Sequence, residues 1–416
     1  HILPAMSQST AESGAEVHSN GSAHAAAAPG IDASSAEIKR IFQLQQSRRQ
    51  SVAKTTAAER KAKLKRLEQV FLAHRQEIRD ALFADFRKHE SEVDLTEVFP
   101  VTSDIKFARR HLSKWMRKRR VKTPLALAGA RSYIHYEPKG VVLIIAPWNF
   151  PINLCFGPLV SALAAGNCVM IKPSEHTPHA SAVTKKIVEE VFDESEVAVV
   201  EGGIETSTSL LSLPFNHIFF TGAPAIGKIV MEAAAKHLAS VTLELGGKSP
   251  TIIDETASVD AAAKRIAWAK FTNNGQICIA PDYLFVHEAK KDEFLAKLKQ
   301  NIEAFYGLDA RRSGSYARIV NHRHYQRISG YIDDAKEKGA TVVYGGGTEG
   351  SEDYIEPTVL TNVDPSSKIM TEEIFGPVLP VQTCTSLDEP IAMINSKEKP
   401  LALYFYSMSN ANAEHI

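Results

Sequence analysis

A chain of 416 residues is long for one hydrophobic core, so two or three domains are expected. Its 48 basic residues balance 48 acidic ones, which argues against nucleic acid as a partner, because phosphate binding needs a basic excess on some surface. Four cysteines (Cys155, Cys168, Cys278 and Cys384) fit neither a paired-thiol metal site nor a disulfide scaffold, and the histidines form no ligand pattern. A reducing, cytoplasmic setting without a bound metal is therefore expected.

Residues 1–33 are rich in Ala, Ser and Gly and predict a flexible leader, with His1 to Ala5 read as a cloning or reading-frame remnant ahead of Met6. No basic start followed by an apolar run marks a signal peptide. Order is expected from Ser34, which with Glu37 forms a capping-box pattern; Thr56 and Glu59 repeat it. Apolar residues from Leu64 to Leu82 recur at helical spacing, and a further helix is expected over Val98 to Met116. The run Arg117-Lys118-Arg119-Arg120 reads as a solvated face. Residues 121–136 hold Pro124 and Gly129 and close on alternating Ile134 and Tyr136, an extended arm or hairpin.

From Gly140 to Ile171 there is no charged residue, but Pro147, Pro151 and Pro158 break the stretch, so strand, loop, helix and strand are expected rather than a membrane span. Apolar runs at Val141–Ala146, Cys168–Ile171, Val197–Val200, His217–Phe220 and Val241–Leu243 alternate with helical stretches, the pattern of a parallel sheet covered on both faces. A second alternation follows, with strands at Thr251–Ile253 and Tyr283–Val286 and helices near Lys290–Tyr306 and His322–Lys338. His322-Arg323-His324 is read as surface rather than metal site. The chain stops at Ala413-Glu414-His415-Ile416, in what reads as the start of a helix, so a missing C-terminal segment is expected.

Five segments suggest chemistry. Three of the cysteines sit among apolar neighbours and read as small core residues. Cys278 follows Asn273-Asn274-Gly275-Gln276 and precedes Pro281, so it is expected in a polar loop, exposed and able to ionise. Glu244 ends a strand before Gly246-Gly247, well placed for general base work, or is a surface carboxylate before a turn. Asn149 lies in the rigid loop Ala146-Pro147-Trp148-Asn149-Phe150-Pro151, where its amide can donate to a developing oxyanion or satisfy its own loop. In Phe220-Thr221-Gly222-Ala223-Pro224-Ala225-Ile226-Gly227-Lys228 two glycines flank a strand-to-helix turn that can face a pyrophosphate. Lys172 and Glu175 end another strand and can hold ribose hydroxyls, or form a plain ion pair.

In this order, from about residue 36 to the end, the motifs resemble the aldehyde dehydrogenase superfamily. Gly227–Pro250 and Cys278-Ile279-Ala280-Pro281-Asp282-Tyr283 resemble its class 3 branch, which includes fatty and aromatic aldehyde oxidisers, and Glu372-Glu373-Ile374-Phe375-Gly376-Pro377 is a further family motif. The resemblance implies two tandem parallel-sheet α/β domains, a Rossmann-like cofactor domain (34–117 and 136–245) and a catalytic domain (246–416), with an oligomerisation hairpin at 118–135. It implies NAD(P)-dependent oxidation of a medium- or long-chain aliphatic or aromatic aldehyde, with NAD preferred and NADP usable, in a homodimer. Cys278 becomes the nucleophile, Glu244 the base, and the Asn149 amide with the Cys278 N–H the oxyanion hole. Lys172 and Glu175 become adenosine-ribose contacts and Gly222 to Gly227 the pyrophosphate turn. Glu373 and Phe375 would hold the nicotinamide ribose, with Trp148 and Leu245 also lining the cofactor site. Two departures stand out: Ala223 replaces a residue that tends to be polar, and the family's later Pro-Phe-Gly-Gly segment and dimer-spanning arm are absent. Alternatives are a semialdehyde dehydrogenase of the same superfamily, an inactive binding protein that kept the fold, or a thiol esterase that uses Cys278 without nucleotide.

Overall fold

The computed structural model describes residues 32–416; the expected remnant and nearly all of the expected leader lie outside the described residues. Thr56 and Glu59 form the full reciprocal capping box at the start of helix Ala57–Ala73. Ser34 caps helix Ser35–Ala53 by accepting from the Glu37 N–H, but the Glu37 carboxylate turns to Arg40 and leaves the box half made. The next long helix is Phe99–Trp115, with Pro100 in its first turn, where a missing N–H costs nothing. The stretch after it is a two-stranded antiparallel hairpin, Arg119–Val121 against Ser132–Ile134, and the basic run 117–120 is exposed.

Five parallel strands form the first sheet, in the spatial order Val197–Val199, Cys168–Lys172, Val141–Ile145, His217–Gly222, Ser240–Leu245. Every residue of Val141–Ile145 is buried, because helices cover both faces. One cover is Ser35–Ala53, Ile204–Leu211 and Pro224–Ala235, packed through Phe42, Leu210 and Val230. The other is built from Ala57–Ala73, Phe99–Trp115, Asn153–Ala165 and Pro178–Val191, through Leu67, Ile105, Phe156 and Ile187. The uncharged stretch 140–171 is thus strand, turn, helix and strand at the centre of this core. Among the described residues no helix is long and apolar enough to cross a membrane.

The chain starts this sheet in its middle, builds to one edge, then returns to build the other. The loops after Val141–Ile145 and His217–Gly222 therefore leave on opposite faces, and a crevice opens between them at the strand C-termini.

The second sheet has six strands in the order Thr341–Tyr344, Thr358–Thr361, Val378–Cys384, Tyr283–His287, Pro250–Ile253, Tyr404–Tyr406. Five run parallel, as expected. The edge strand Thr341–Tyr344 departs from that expectation and pairs antiparallel with Thr358–Thr361. The segment between them is spent on the small hairpin Thr348–Glu349 with Tyr354–Ile355, so no crossover helix carries the chain back to a parallel start. Helices Val259–Phe271 and Lys291–Tyr306 cover one face and His322–Glu337 the other.

Candidate active site

The crevice of the first sheet faces the second, and between them lies a cavity of about 360 Å³. Its wall brings together Trp148, Asn149, Gly222, Ala223, Glu244, Leu245, Cys278, Glu373 and Phe375, all singled out from the sequence. Lys172, Glu175, Pro224, Ala225, Ile226 and Gly227 do not line it.

Cys278 is half-buried, while Cys155, Cys168 and Cys384 are buried core residues, as their apolar neighbours predict. The loop before Cys278 differs from the sequence expectation. Asn273, Asn274, Gly275 and Gln276 are buried, not solvated, and three of them in a row are left-handed, with φ of 50°, 57° and 72°. Asparagine tolerates that region through local hydrogen bonds. Gly275 is required, because a Cβ there would stand 2.3 Å from the Gly376 carbonyl oxygen. The buried amides find partners across the molecule: Asn274 Nδ2 donates to Ala317 O at 2.8 Å and Gln276 Nε2 to Arg318 O at 3.1 Å. Asn273 Nδ2 donates to Asn149 O at 2.9 Å, and Asn149 Nδ2 to Gln276 O at 3.0 Å. The loop of the first sheet and the thiol loop of the second are thereby locked to each other, and one Asn149 amide hydrogen remains free of the Gln276 bond.

The thiol is not pre-ionised. Burial first, then the nearby Glu373 and Glu244 carboxylates, push the Cys278 pKa up. This corrects the expectation of an exposed, readily ionised cysteine: the polar residues before it are buried, with their amide N–H groups turned to internal carbonyls, and supply no water-filled surroundings. The two carboxylates differ. Glu244 ends the edge strand Ser240–Leu245 and is exposed. Glu373 is pushed up to about 7 by burial, against the opposing pull of the Gly247 N–H, which donates to it at 3.1 Å.

On the opposite rim, Gly222 and Ala223 border the cavity and Pro224 opens helix Pro224–Ala235. Gly227 serves packing: a Cβ there would meet Leu245 Cδ2 at 2.8 Å, so the glycine lets the helix lie close on its strand. Lys172, buried at the end of Cys168–Lys172, forms an ion pair with the exposed Glu175.

Sequence reasoning missed one wall. Helix His322–Glu337 presents His324, Arg327 and Tyr331 to the cavity, so His324 is not the surface residue its motif suggested. The ring of His324 lies 4.9 Å from that of Trp148, which meets Phe375 edge-on at 5.2 Å. Burial, then Arg327, pushes the His324 pKa down to about 4, so the imidazole is neutral. Arg327 donates to Glu373 O at 3.2 Å and Tyr331 to Glu372 at 2.7 Å, holding the loop that bears Glu373 and Phe375. Lys248 and Asp282 hold it from below: Lys248 pairs with Asp282 and donates to Glu372 O at 2.8 Å, while Asp282 accepts from Ile374 N at 2.9 Å. A helical spacing of 3 and 4 residues from His324 to Arg327 to Tyr331 was the available signal. Among the described residues no group of three or more His, Cys, Asp or Glu is arranged to hold a metal ion.

The walls suit a nucleotide. Thr221 Oγ1 and His324 Nδ1 are buried with no partner among the described residues, and unpaired polar atoms of this kind are completed by ligands. Trp148 and Phe375 supply flat apolar faces beside the ionisable Glu373.

Comparison with known proteins agrees with this geometry. The aldehyde dehydrogenase family profile matches residues 8–416. The chain is 47% identical over 348 residues to the 4,4'-diaponeurosporen-aldehyde dehydrogenase of Staphylococcus aureus, covering 84% of this chain and 75% of the relative. It is 46% identical over 330 residues to the dimeric NADP-preferring aldehyde dehydrogenase of Mus musculus, covering 79% and 72%. The solved substrate-bound state of Staphylococcus aureus AldH superposes with a TM-score of 0.88 at 43% identity, over 91% of this chain and 82% of that one. A half-buried thiol facing two carboxylates across a nucleotide-sized crevice, on a chain matched almost end to end, identifies a member of the aldehyde dehydrogenase family, an oxidoreductase that oxidises aldehydes with NAD(P).

Proposed function

We propose that the chain oxidises an apolar aldehyde, medium- or long-chain aliphatic or aromatic, to its carboxylic acid through a thioester on Cys278. The Cys278 sulfur, deprotonated, attacks the aldehyde carbon, and the carbonyl π pair moves onto oxygen. The Asn149 amide and the Cys278 backbone N–H donate to that oxyanion. When bound, the nicotinamide accepts the hydride. As the oxyanion collapses, the C–H pair leaves and a Cys278 thioester remains. Glu244 takes a proton from water, the hydroxide adds to the thioester, and the adduct collapses to the carboxylic acid and the Cys278 thiolate, to which Glu244 returns its proton. Trp148, Leu245, Glu373 and Phe375 would hold the cofactor along the cavity, with the turn Gly222 to Gly227 at its pyrophosphate and Lys172 and Glu175 at its adenosine ribose.

The observation that carries this reading is the gathering of Cys278, Asn149 and Glu244 on one cavity from two separate loops and a strand end. The apolar lining from Leu154, Trp148 and Phe375, and the Staphylococcus aureus relative named for a carotenoid aldehyde, support the substrate class. The mouse relative is named dimeric, which supports a homodimer; we also propose that the arm at 118–135 forms its interface and that the enzyme is cytoplasmic. We further propose a cofactor domain of 34–117 and 136–245 and a catalytic domain of 246–416.

The decisive experiment is Glu244→Gln. With deacylation blocked, NADH should appear in a burst near one per active site and then almost stop. Mass spectrometry should find the acyl group on the Cys278 peptide, and hydroxylamine should restore turnover. Normal steady-state turnover would remove Glu244 from the mechanism.

A further inference from the structure

The turn that carries Asn149 rests on an ion pair sealed from solvent. Lys88 and Glu97 are both 0% exposed, with Lys88 Nζ 3.2 Å from Glu97 Oε1. Lys88 Nζ also donates to Asn149 O at 3.4 Å and stands 4.7 Å from the centroid of the Phe150 ring. The second Glu97 oxygen accepts from Asn153 N at 2.8 Å. The pair thus grips both ends of the segment 149–153.

Two backbone irregularities bring these charges inward. Lys88 follows Arg87, which ends helix Arg75–Phe86 in the left-handed conformation with φ 56°. Glu97 belongs to a single wide turn of π-helix, Asp94–Val98, a form that recurs at functional sites. A buried ion pair gives little net stability over an apolar pair of the same volume. Its distinctive contribution here is a fixed donor beneath the Asn149 carbonyl and a fixed acceptor beneath Asn153. Above, Asn273 and Gln276 hold the same asparagine from the thiol loop. Held on both sides, the Asn149 amide has little freedom to leave its site when charge develops on the substrate oxygen.

We propose that the buried Lys88–Glu97 pair is a positioning element for Asn149, fixing its turn so that the amide meets the developing oxyanion, while neither Lys88 nor Glu97 touches substrate. This rests on the reading of Asn149 as the oxyanion donor. The test is the rate of the NADH burst in the full chain, with the pair replaced by apolar residues of similar size, Lys88→Met with Glu97→Leu, which avoids stranding a single buried charge. The burst should slow about tenfold or more, part of the 10²–10³ expected for losing the donor itself, while NAD affinity and the melting temperature change little. Added to Asn149→Ala, the same replacement should slow the burst no further, because the group it positions is gone. Equal slowing in both backgrounds, or a wild-type burst in the pair variant beside a slowed Asn149→Ala, would overturn the role of the pair alone. An unchanged burst in Asn149→Ala would overturn the oxyanion reading and the pair's role with it. Should the double replacement fail to fold, Glu97→Gln, which keeps shape and removes charge, is carried through the same cycle with the same two outcomes.

Discussion

The two rims of the cavity are built differently. On the thiol side, residues 273–278 are bent through three left-handed residues, and the buried amides among them are hydrogen-bonded to the Asn149 loop and to Ala317 and Arg318. On the cofactor side, the turn 222–226 is open: Ala223 and Ala225 are not buried, and Thr221 Oγ1 and His324 Nδ1 lack partners among the described residues. Reacting atoms need fixed positions, whereas a dinucleotide must enter and leave at each turnover. Rigidity is concentrated at the thiol rim; the buried Oδ1 atoms of Asn273 and Asn274 are also unpartnered among the described residues, but unlike Thr221 and His324 they do not line the cavity.

Removing the thiol draws that contrast most sharply. Cys278→Ala should lower aldehyde oxidation by more than about 10³-fold and leave NAD binding, followed by tryptophan fluorescence, within a factor of two. Residual turnover within tenfold of wild type would show that the thiol side does not carry the chemistry.

Next in size is Gly275→Ala, which attacks the rigidity itself. The new Cβ meets the Gly376 carbonyl and the residue keeps a positive φ. A loss of roughly 1–3 kcal/mol is expected from strain of this kind, with a lower melting temperature and a slower burst. Gly203→Ala, where an added methyl would have nothing within 4 Å, is the control and should change neither. Equal behaviour of the two variants would mean that the loop yields easily.

A smaller effect is expected from Glu373→Gln. The Glu373 carboxyl ionises near 7, and its charge raises the Cys278 pKa. Above that pH the wild-type thiol is harder to ionise, so removing the charge should lower the midpoint of the iodoacetamide pH profile and speed alkylation at pH 8. The stability sign is opposite to that of a salt-bridged acid. A carboxyl whose folded pKa is raised favours the fold below its unfolded value and loses that advantage as pH rises to about 7. Glu373→Gln should therefore flatten the fall in melting temperature across that window, and an alkylation rate lower than wild type would instead make Glu373 the group that removes the thiol proton.

On the open rim the smallest change is expected. Glu175→Gln removes a carboxylate that would repel the 2′-phosphate of NADP, so the ratio of NADP to NAD use should rise several-fold, chiefly through NADP binding. An unchanged ratio would show that the Lys172–Glu175 pair does not face the ribose.

The same contrast governed what could be read from the chain. The first sheet was legible to within a residue or two per strand, because continuous apolar runs between helices have few other uses. Thr56 with Glu59, and the three core cysteines, were legible for the same local reason. Asn273 to Gln276 were misread as solvated, since polar side chains look alike in sequence whether water or a distant carbonyl satisfies them. The His324 wall depended on which face of an amphipathic helix meets the cavity, and the Lys88–Glu97 pair on a left-handed residue and a π-turn that no periodicity announces. The antiparallel edge strand Thr341–Tyr344 likewise followed from connection length rather than from composition.

The burial of three thiols gives the molecule its own gauge of intactness. Burial pushes Cys168 up to about 12 and Cys384 up to about 11, and Cys155 is raised further. A thiol reagent offered to the native protein near neutral pH meets one half-buried cysteine; offered to the unfolded chain, it meets all four. Reagent uptake per chain therefore counts folded molecules directly, and protection of the first equivalent by an aldehyde analogue counts those with a competent cavity.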